Sequence, residues 1–174
     1  MIRKFWQIAL LFICACVAVS CGDDDDDDDL PVDEVWKNQN EEAFQAIAKD
    51  STYERLDSQS NAGYIMYKVL ESEGSTQPIY YTSEIQLYYK GSLIDGTVFD
   101  QRLFEDGEPY EATVNSFVDG FTTALQHMHP GDRWEIWIPW QLGYGSSGNS
   151  SGSTTIEPYT TLKFELEVVA VVRE

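Results

Sequence analysis

An Asp-Gly pair set between two aromatic-rich runs restricts this chain more than any other feature in it. Tyr88-Tyr89-Lys90-Gly91-Ser92-Leu93-Ile94 enters Asp95-Gly96, and the chain returns at once through Thr97-Val98-Phe99-Asp100. A tight reversal between antiparallel strands demands such a pair, because glycine adopts positive φ at little cost. The chain must therefore double back here, which brings Tyr89, Phe99 and Asp100 to one end of a sheet. Two large rings with one carboxylate suit an apolar ring whose amide must be stripped of water.

The rest of the chain supplies the sheet. Tyr64 to Leu70, Tyr80 to Lys90 and Leu162 to Val171 are rich in β-branched and aromatic residues. In the last, Leu162, Phe164, Leu166, Val168 and Ala170 alternate with Lys163, Glu165 and Glu167, the pattern of a strand with one wet face. Arg133 to Ile138 alternates too, with Trp134, Ile136 and Ile138 on one side and Trp137 on the polar side. One short helix is expected over 119–128: Val118, Phe121, Leu125 and Met128 form a single apolar stripe, Asp119 can cap its start, and Pro130-Gly131 stops it. A patchy helical period through Val32, Val35, Trp36, Phe44, Ile47 and Ala48 predicts a second helix within 33–50. Its apolar side is expected to pack on the following domain, a dimerising arm being the alternative. Residues 51–61 are polar and read as a connector. The fold class is α+β, an antiparallel sheet wrapped around one short helix and preceded by an N-terminal helix.

The front of the chain reads differently. Residues 1–20 have the form of an export signal: Arg3 and Lys4 give a positive start, and Ile8 to Val19 is an apolar run too short for a comfortable span of about 20 residues. The run ends in Ala18-Val19-Ser20-Cys21, which resembles the site at which bacterial lipoproteins are cleaved and acylated on cysteine. An ordinary signal or an uncleaved anchor is the alternative. Cys14 and Cys16 lie inside the signal, so cleavage would leave Cys21 alone and no disulfide framework. Asp23 to Asp29 is a self-repelling block of carboxylates that reads as a solvated tether over 21–31. It also resembles the surface-export signals of some Gram-negative lipoproteins, and it lacks the spacing of a calcium loop. After cleavage 9 basic residues face 30 acidic ones, a formal charge of −21. That excludes nucleic-acid binding by clustered Lys and Arg and leaves the lipid as the sole membrane attachment.

From Tyr88 to Asp100, then through Phe117 to Asp132, Trp134 to Pro139, Leu142-Gly143-Tyr144-Gly145, Ile156-Glu157-Pro158 and Thr161 to Val168, the chain resembles the FKBP-type peptidyl-prolyl isomerases, block by block and in order. The resemblance covers roughly 62–172. It implies an isomerase domain over 62–174, with 32–61 as N-terminal helix and connector. It also implies a pocket in which Tyr89, Phe99 and Phe164 are wall rings, with Tyr110 a more loosely aligned third, and Asp100 is the lining carboxylate. Phe117 and Val118 match the pair before the helix, Tyr144 the hydroxyl donor, and Ile156 the residue above the pocket. Asp100, Tyr144 and Phe99 are the candidate catalytic residues, and Tyr89, Tyr110, Phe117, Val118, Phe121, Ile156 and Phe164 the candidate substrate-binding ones. From composition alone the rings could equally be core, and Asp100 and Tyr144 ordinary turn and loop residues.

Two departures stand out. Phe121 occupies the floor position, commonly tryptophan, and Ser146 to Thr155 is a longer, Ser/Gly-rich loop expected to form a mobile rim. The resemblance calls for no cofactor. His127 and His129, two apart on a helix, would face different ways and are expected at the surface rather than on a metal. The expected activity is rotation of X-Pro bonds in exported, proline-containing polypeptides by a monomeric, lipid-anchored enzyme in the outer membrane, facing the periplasm or the surface. A binding module for proline-containing chains, without catalysis, is the competing class.

Overall fold

The computed structural model describes residues 33–152 and 154–174. The expected signal, the lipidated Cys21 and the acidic run lie outside them.

The first element is α1, Glu34–Ala48. Asp33 starts it: its carboxylate accepts from the amides of Val35 and Trp36, both at 3.0 Å. Such a cap contributes about 1 kcal/mol. Asn40 and Phe44, one turn apart on the same face, are its buried residues. That face lies on the domain: the Phe44 ring sits 5.5 Å from that of Tyr64, and Thr161 donates its amide to Asn40 Oδ1 at 2.9 Å. The packed face takes Trp36, Phe44, Ile47 and Ala48 from the apolar period but leaves Val35 66% exposed, and it adds Asn40, which that period does not mark.

Seven strands follow: β1 Glu54–Asp57, β2 Tyr64–Glu71, β3 Glu84–Ser92, β4 Val98–Arg102, β5 Tyr110–Thr113, β6 Arg133–Ile138 and β7 Leu162–Arg173. They form one antiparallel sheet in the order β1-β2-β6-β7-β3-β4, and β5 also pairs with β3. β3 is shared: Glu84 to Leu87 pair with β5, while Tyr89 to Ser92 pair with β4. The chain between these partners, around Phe104–Asp106, swings out and back. Between β5 and β6 lies α2, Asp119–Leu125, buried from Gly120 through Leu125. The sheet closes over it with Ile65, Ile85, Leu87, Ile136, Ile138, Leu162, Leu166 and Val168, each 0–1% exposed. This is the α+β architecture expected.

The structure corrects four local expectations. Residues 51–61 are not only a connector, because they contribute β1, which pairs with β2 from Glu54↔Tyr67 to Asp57↔Tyr64. Within β1 only Leu56 escapes full exposure, so no alternating pattern marks the strand. The strand expected from Tyr80 begins at Glu84, since a turn intervenes in which Tyr80 N–H donates to Ser83 Oγ at 2.9 Å. Asp119 does not cap α2. Val118 holds the capping position without a side-chain bond, and Asp119 is the first helical residue. The helix ends at Leu125 rather than 128, which places His127 and His129 in the turn beyond it. His127 Nδ1 lies 2.9 Å from the Thr123 carbonyl, and His129 Nδ1 is 3.5 Å from Asp132.

Trp137 lies on the outer face of the sheet for a reason visible in its neighbours. Glu135 accepts from Trp137 Nε1 at 3.0 Å, from the Tyr53 hydroxyl, and pairs with Lys163 at 3.0 Å. Burial alone would raise the Glu135 carboxyl, but these donors outweigh it and hold the group below its usual range. Tyr53 is pushed up to about 12 by burial and by its bond to Glu135. A phenol raised in the folded state stabilises the fold below its unfolded value near 10, and that contribution disappears as pH climbs through the folded value. Between about pH 10 and about 12, wild type is therefore expected to lose more stability than Tyr53→Phe. Urea titrations of both proteins across that window would measure the difference, and parallel curves would refute it.

Candidate active site

The hairpin forms as its sequence dictates. Gly96 sits at φ 87°, and Gly96 N–H donates to the Leu93 carbonyl at 3.0 Å. Asp95 completes the reversal by accepting from Thr97 N–H at 2.8 Å. The strands it joins hold Gly91 opposite Asp100 and Tyr89 opposite Arg102. From this register the Tyr89 hydroxyl donates to Asp100 Oδ2 at 2.9 Å. Burial first, and then this bond, raise the Tyr89 phenol far above its ordinary value. It stays protonated through neutrality and keeps the carboxylate oriented.

A cavity of about 310 Å³ opens beside this pair. Its lining comprises Tyr89, Phe99, Asp100, Tyr110, Ser116, Phe117, Val118, Phe121, Tyr144 and Phe164. Other clefts among the described residues, about 350, 340 and 300 Å³, are of similar size. What sets this one apart is its wall. Phe121, 2% exposed, forms the floor from α2 and is met by three rings: Tyr89 edge-on at 6.4 Å, Phe164 edge-on at 5.0 Å, and Phe117 stacked at 4.5 Å. Tyr110 closes the circuit, 5.9 Å from Tyr89 and 6.4 Å from Phe117. Phe99 stands edge-on to Phe164 at 5.4 Å. Edge-to-face and offset arrangements of this kind are the favourable ones for aromatic pairs.

Nine of the ten candidate residues thus line one cavity. The tenth, Ile156, does not: it is 3% exposed within the hydrophobic cluster. Its backbone is held by an antiparallel bridge to Asn149, with bonds of 2.7 and 2.8 Å. The same bridge pins the Ser/Gly-rich loop at both sides. None of the described residues of 146–155 lines the cavity, so the expected rim over the pocket is not found there.

Two contributors escape the residue reading. Ser116 enters the lining from the turn before α2. Gly91 contributes by having no side chain, since a Cβ there would lie 2.6 Å from both the Phe99 and Phe164 rings. A glycine inside a strand is the available signal for such a close approach.

The domain model described as FKBP-type peptidyl-prolyl cis-trans isomerase matches residues 77–169. The chain belongs to that family. Among relatives, it is 41% identical over 90 residues to an FKBP-type 22 kDa peptidyl-prolyl cis-trans isomerase of Escherichia coli, covering 52% of this chain and 42% of that one. It is 36% identical over 110 residues to a macrophage infectivity potentiator of Trypanosoma cruzi, covering 63% and 54%. The chain therefore spans about half the length of these relatives. Among solved structures, a peptidyl-prolyl cis-trans isomerase of Pseudomonas syringae superposes with a TM-score of 0.67 at 27% identity, covering 79% of this chain and 94% of that one. FkpA of Escherichia coli gives 0.66 at 27% identity, covering 80% and 60%. Within this FKBP-type frame, Phe121 lines the cavity together with the Phe117 ring stacked on it at 4.5 Å.

Proposed function

We propose that the domain accelerates cis-trans rotation about X-Pro bonds in proline-containing polypeptides. The observation that supports this most is the aromatic cavity bordered by the Tyr89–Asp100 hydrogen bond. Unaided, the rotation crosses about 18–20 kcal/mol and takes tens to hundreds of seconds. The barrier is amide resonance, whose charge-separated form water stabilises. A dry pocket that takes the proline ring, with a few fixed polar groups for the twisted imide, lowers that barrier without a nucleophile. Phe121, Phe164 and Phe99 exclude water, Asp100 is the fixed dipole near the imide, and Tyr144 donates to a substrate carbonyl. The Val118 backbone N–H holds a second carbonyl. Residues 62–174 form the working domain, with the β1 segment completing its sheet.

NMR exchange of a proline peptide series with the purified protein tests the reading. Faster exchange supports it, whereas binding without exchange replaces it with a non-catalytic module for proline-containing chains. Tyr144→Phe removes one neutral hydrogen bond, so kcat/KM is expected to fall roughly two- to tenfold. Asp100→Ala should lower the rate clearly and leave a residue of activity, because environment rather than proton transfer does the work. The rate should also vary little near neutral pH, as no histidine lines the cavity and the Tyr89 proton is held far above that range.

The proposed setting is a bacterial envelope, with attachment through a lipid on Cys21 and exported polypeptides as clients. One relative is named an outer membrane protein, that of Legionella longbeachae. No helix among the described residues is long and apolar enough to cross a membrane. Cys21→Ser is expected to abolish detergent-dependent membrane retention, and a processed variant that stayed in the membrane would count against the anchor.

A further inference from the structure

The N-terminal helix grips both flanks of the segment that carries Tyr144. On one flank, Trp140 Nε1 donates to Glu41 Oε1 at 3.2 Å. On the other, Trp36 Nε1 donates to Thr160 Oγ1 at 3.0 Å, and the same hydroxyl donates to the Glu157 carbonyl at 2.6 Å. Asn40, wholly buried, takes the Thr161 amide on Oδ1 at 2.9 Å and the Thr161 hydroxyl on its carbonyl at 3.0 Å. Its own Nδ2 is committed to the Trp36 carbonyl at 2.9 Å.

Between these grips sits Tyr159 at φ 61°. A bulky residue in the left-handed region is an outlier that persists only where its surroundings over-determine it. Here Lys37 Nζ lies 4.9 Å from the centre of its ring, and Trp140 stands edge-on at 4.9 Å. In this conformation Tyr159 N–H donates to the Gly145 carbonyl at 2.9 Å. Gly145 N–H in turn donates to the Trp140 carbonyl at 2.9 Å, and Gly148 N–H to that of Tyr144 at 3.1 Å. The Tyr159–Gly145 and Gly145–Trp140 restraints on the Tyr144 loop thus lead back, within one or two bonds, to residues that α1 contacts through Lys37 and Glu41.

We propose that α1 is a positioning element of the active site: through Glu41, Trp36 and Asn40 it clamps the strained Tyr159 turn and so fixes where Tyr144 presents its hydroxyl. The catalytic half of this inference rests on the isomerase reading; the structural half does not. Asn40, Trp36 and Glu41 are positioning residues, since none of them lines the cavity.

Full-chain Asn40→Ala and Glu41→Ala are the test variants. Phe44→Leu is the control, because it weakens α1 at Tyr64 without touching the clamp. Amide exchange well below the melting temperature should speed up at Tyr159, Gly145 and Gly148 by about tenfold in Asn40→Ala, as expected for loss of a hydrogen bond, and stay near wild type in Phe44→Leu. The rate constant kcat should fall roughly three- to tenfold with KM little changed, since a misplaced donor weakens the transition state rather than binding. In a Tyr144→Phe background that fall should shrink to less than about twofold, because the clamp and the hydroxyl act as one unit. Glu41→Gln should keep what Glu41→Ala loses, since an amide oxygen accepts from Trp140 as well as a carboxylate does. Unaltered exchange at the three amides in both alanine variants, or an equal fall in kcat with and without the Tyr144 hydroxyl, overturns the proposal. If wild type catalyses no exchange, the isomerase reading fails, and the amide rates alone then decide whether the clamp exists.

Discussion

Phe99→Ala is expected to abolish most of the activity, more than any change to a polar group of the site. Phe99 is 6% exposed and forms the part of the wall that stands against Phe164 and beside Asp100. Its removal takes away about 1.5–3 kcal/mol of apolar contact. If that contact is made mainly with the twisted form, the rate falls by roughly one to two orders of magnitude. The opening also readmits water, which on the proposed reading returns part of the barrier that a dry pocket lowers. Folding stability should drop as well, by about 3–5 kcal/mol, the usual range for a buried Phe→Ala. The two effects separate with Phe99→Leu, which keeps the site dry and should retain most of the activity. Peptide exchange by NMR and urea unfolding on the same samples would give both numbers. Wild-type rates in Phe99→Ala would place the pocket on other residues.

Gly91→Ala is expected to rank second and to act without touching any polar group. The new methyl would meet the Phe99 and Phe164 rings at 2.6 Å, well inside contact distance, so both wall rings must move. Overpacking of this kind costs about 1–3 kcal/mol of stability. The displaced rings should lower kcat/KM by roughly tenfold or more, on the scale of 1.4 kcal/mol per decade. The diagnostic is non-additivity. In Gly91→Ala/Phe99→Leu the smaller side chain makes room, so the double variant should be more stable and more active than the sum of its parts predicts. Strict additivity would mean that the rings accommodate the methyl without shifting.

Much of the site was legible because its parts are local. The Asp95-Gly96 reversal fixes the register that puts Tyr89 within reach of Asp100, and the stripe of Phe121, Leu125 and Met128 orients α2. Alternation along 133–138 and 162–171 gave the two central strands because each has one dry face and one wet one. What escaped depends on partners far away in sequence. β1 has no apolar pattern of its own and is a strand because β2 offers it a hydrogen-bonding row. Ile156 follows Thr154-Thr155 in a polar loop, yet its bridge to Asn149 leads it into the core. The backbone departures of Tyr159 are invisible in a tyrosine codon, and so is the clamp that holds them.

The proposed handling of proline-containing chains carries a second requirement, that the sheet not become their template. An extended polypeptide can add to any free row of backbone donors and acceptors at the margin of a sheet, and that association is hard to reverse. On one margin here stands β1, only four residues long. It carries Glu54, Arg55 and Asp57 outward, and Arg55 pairs with Asp57 across its surface. Short and charged, it offers an incoming strand little to extend. The β1 segment thereby gives this margin of the sheet a blunt border, which under the proposed function leaves proline-containing chains the aromatic cavity rather than the flank.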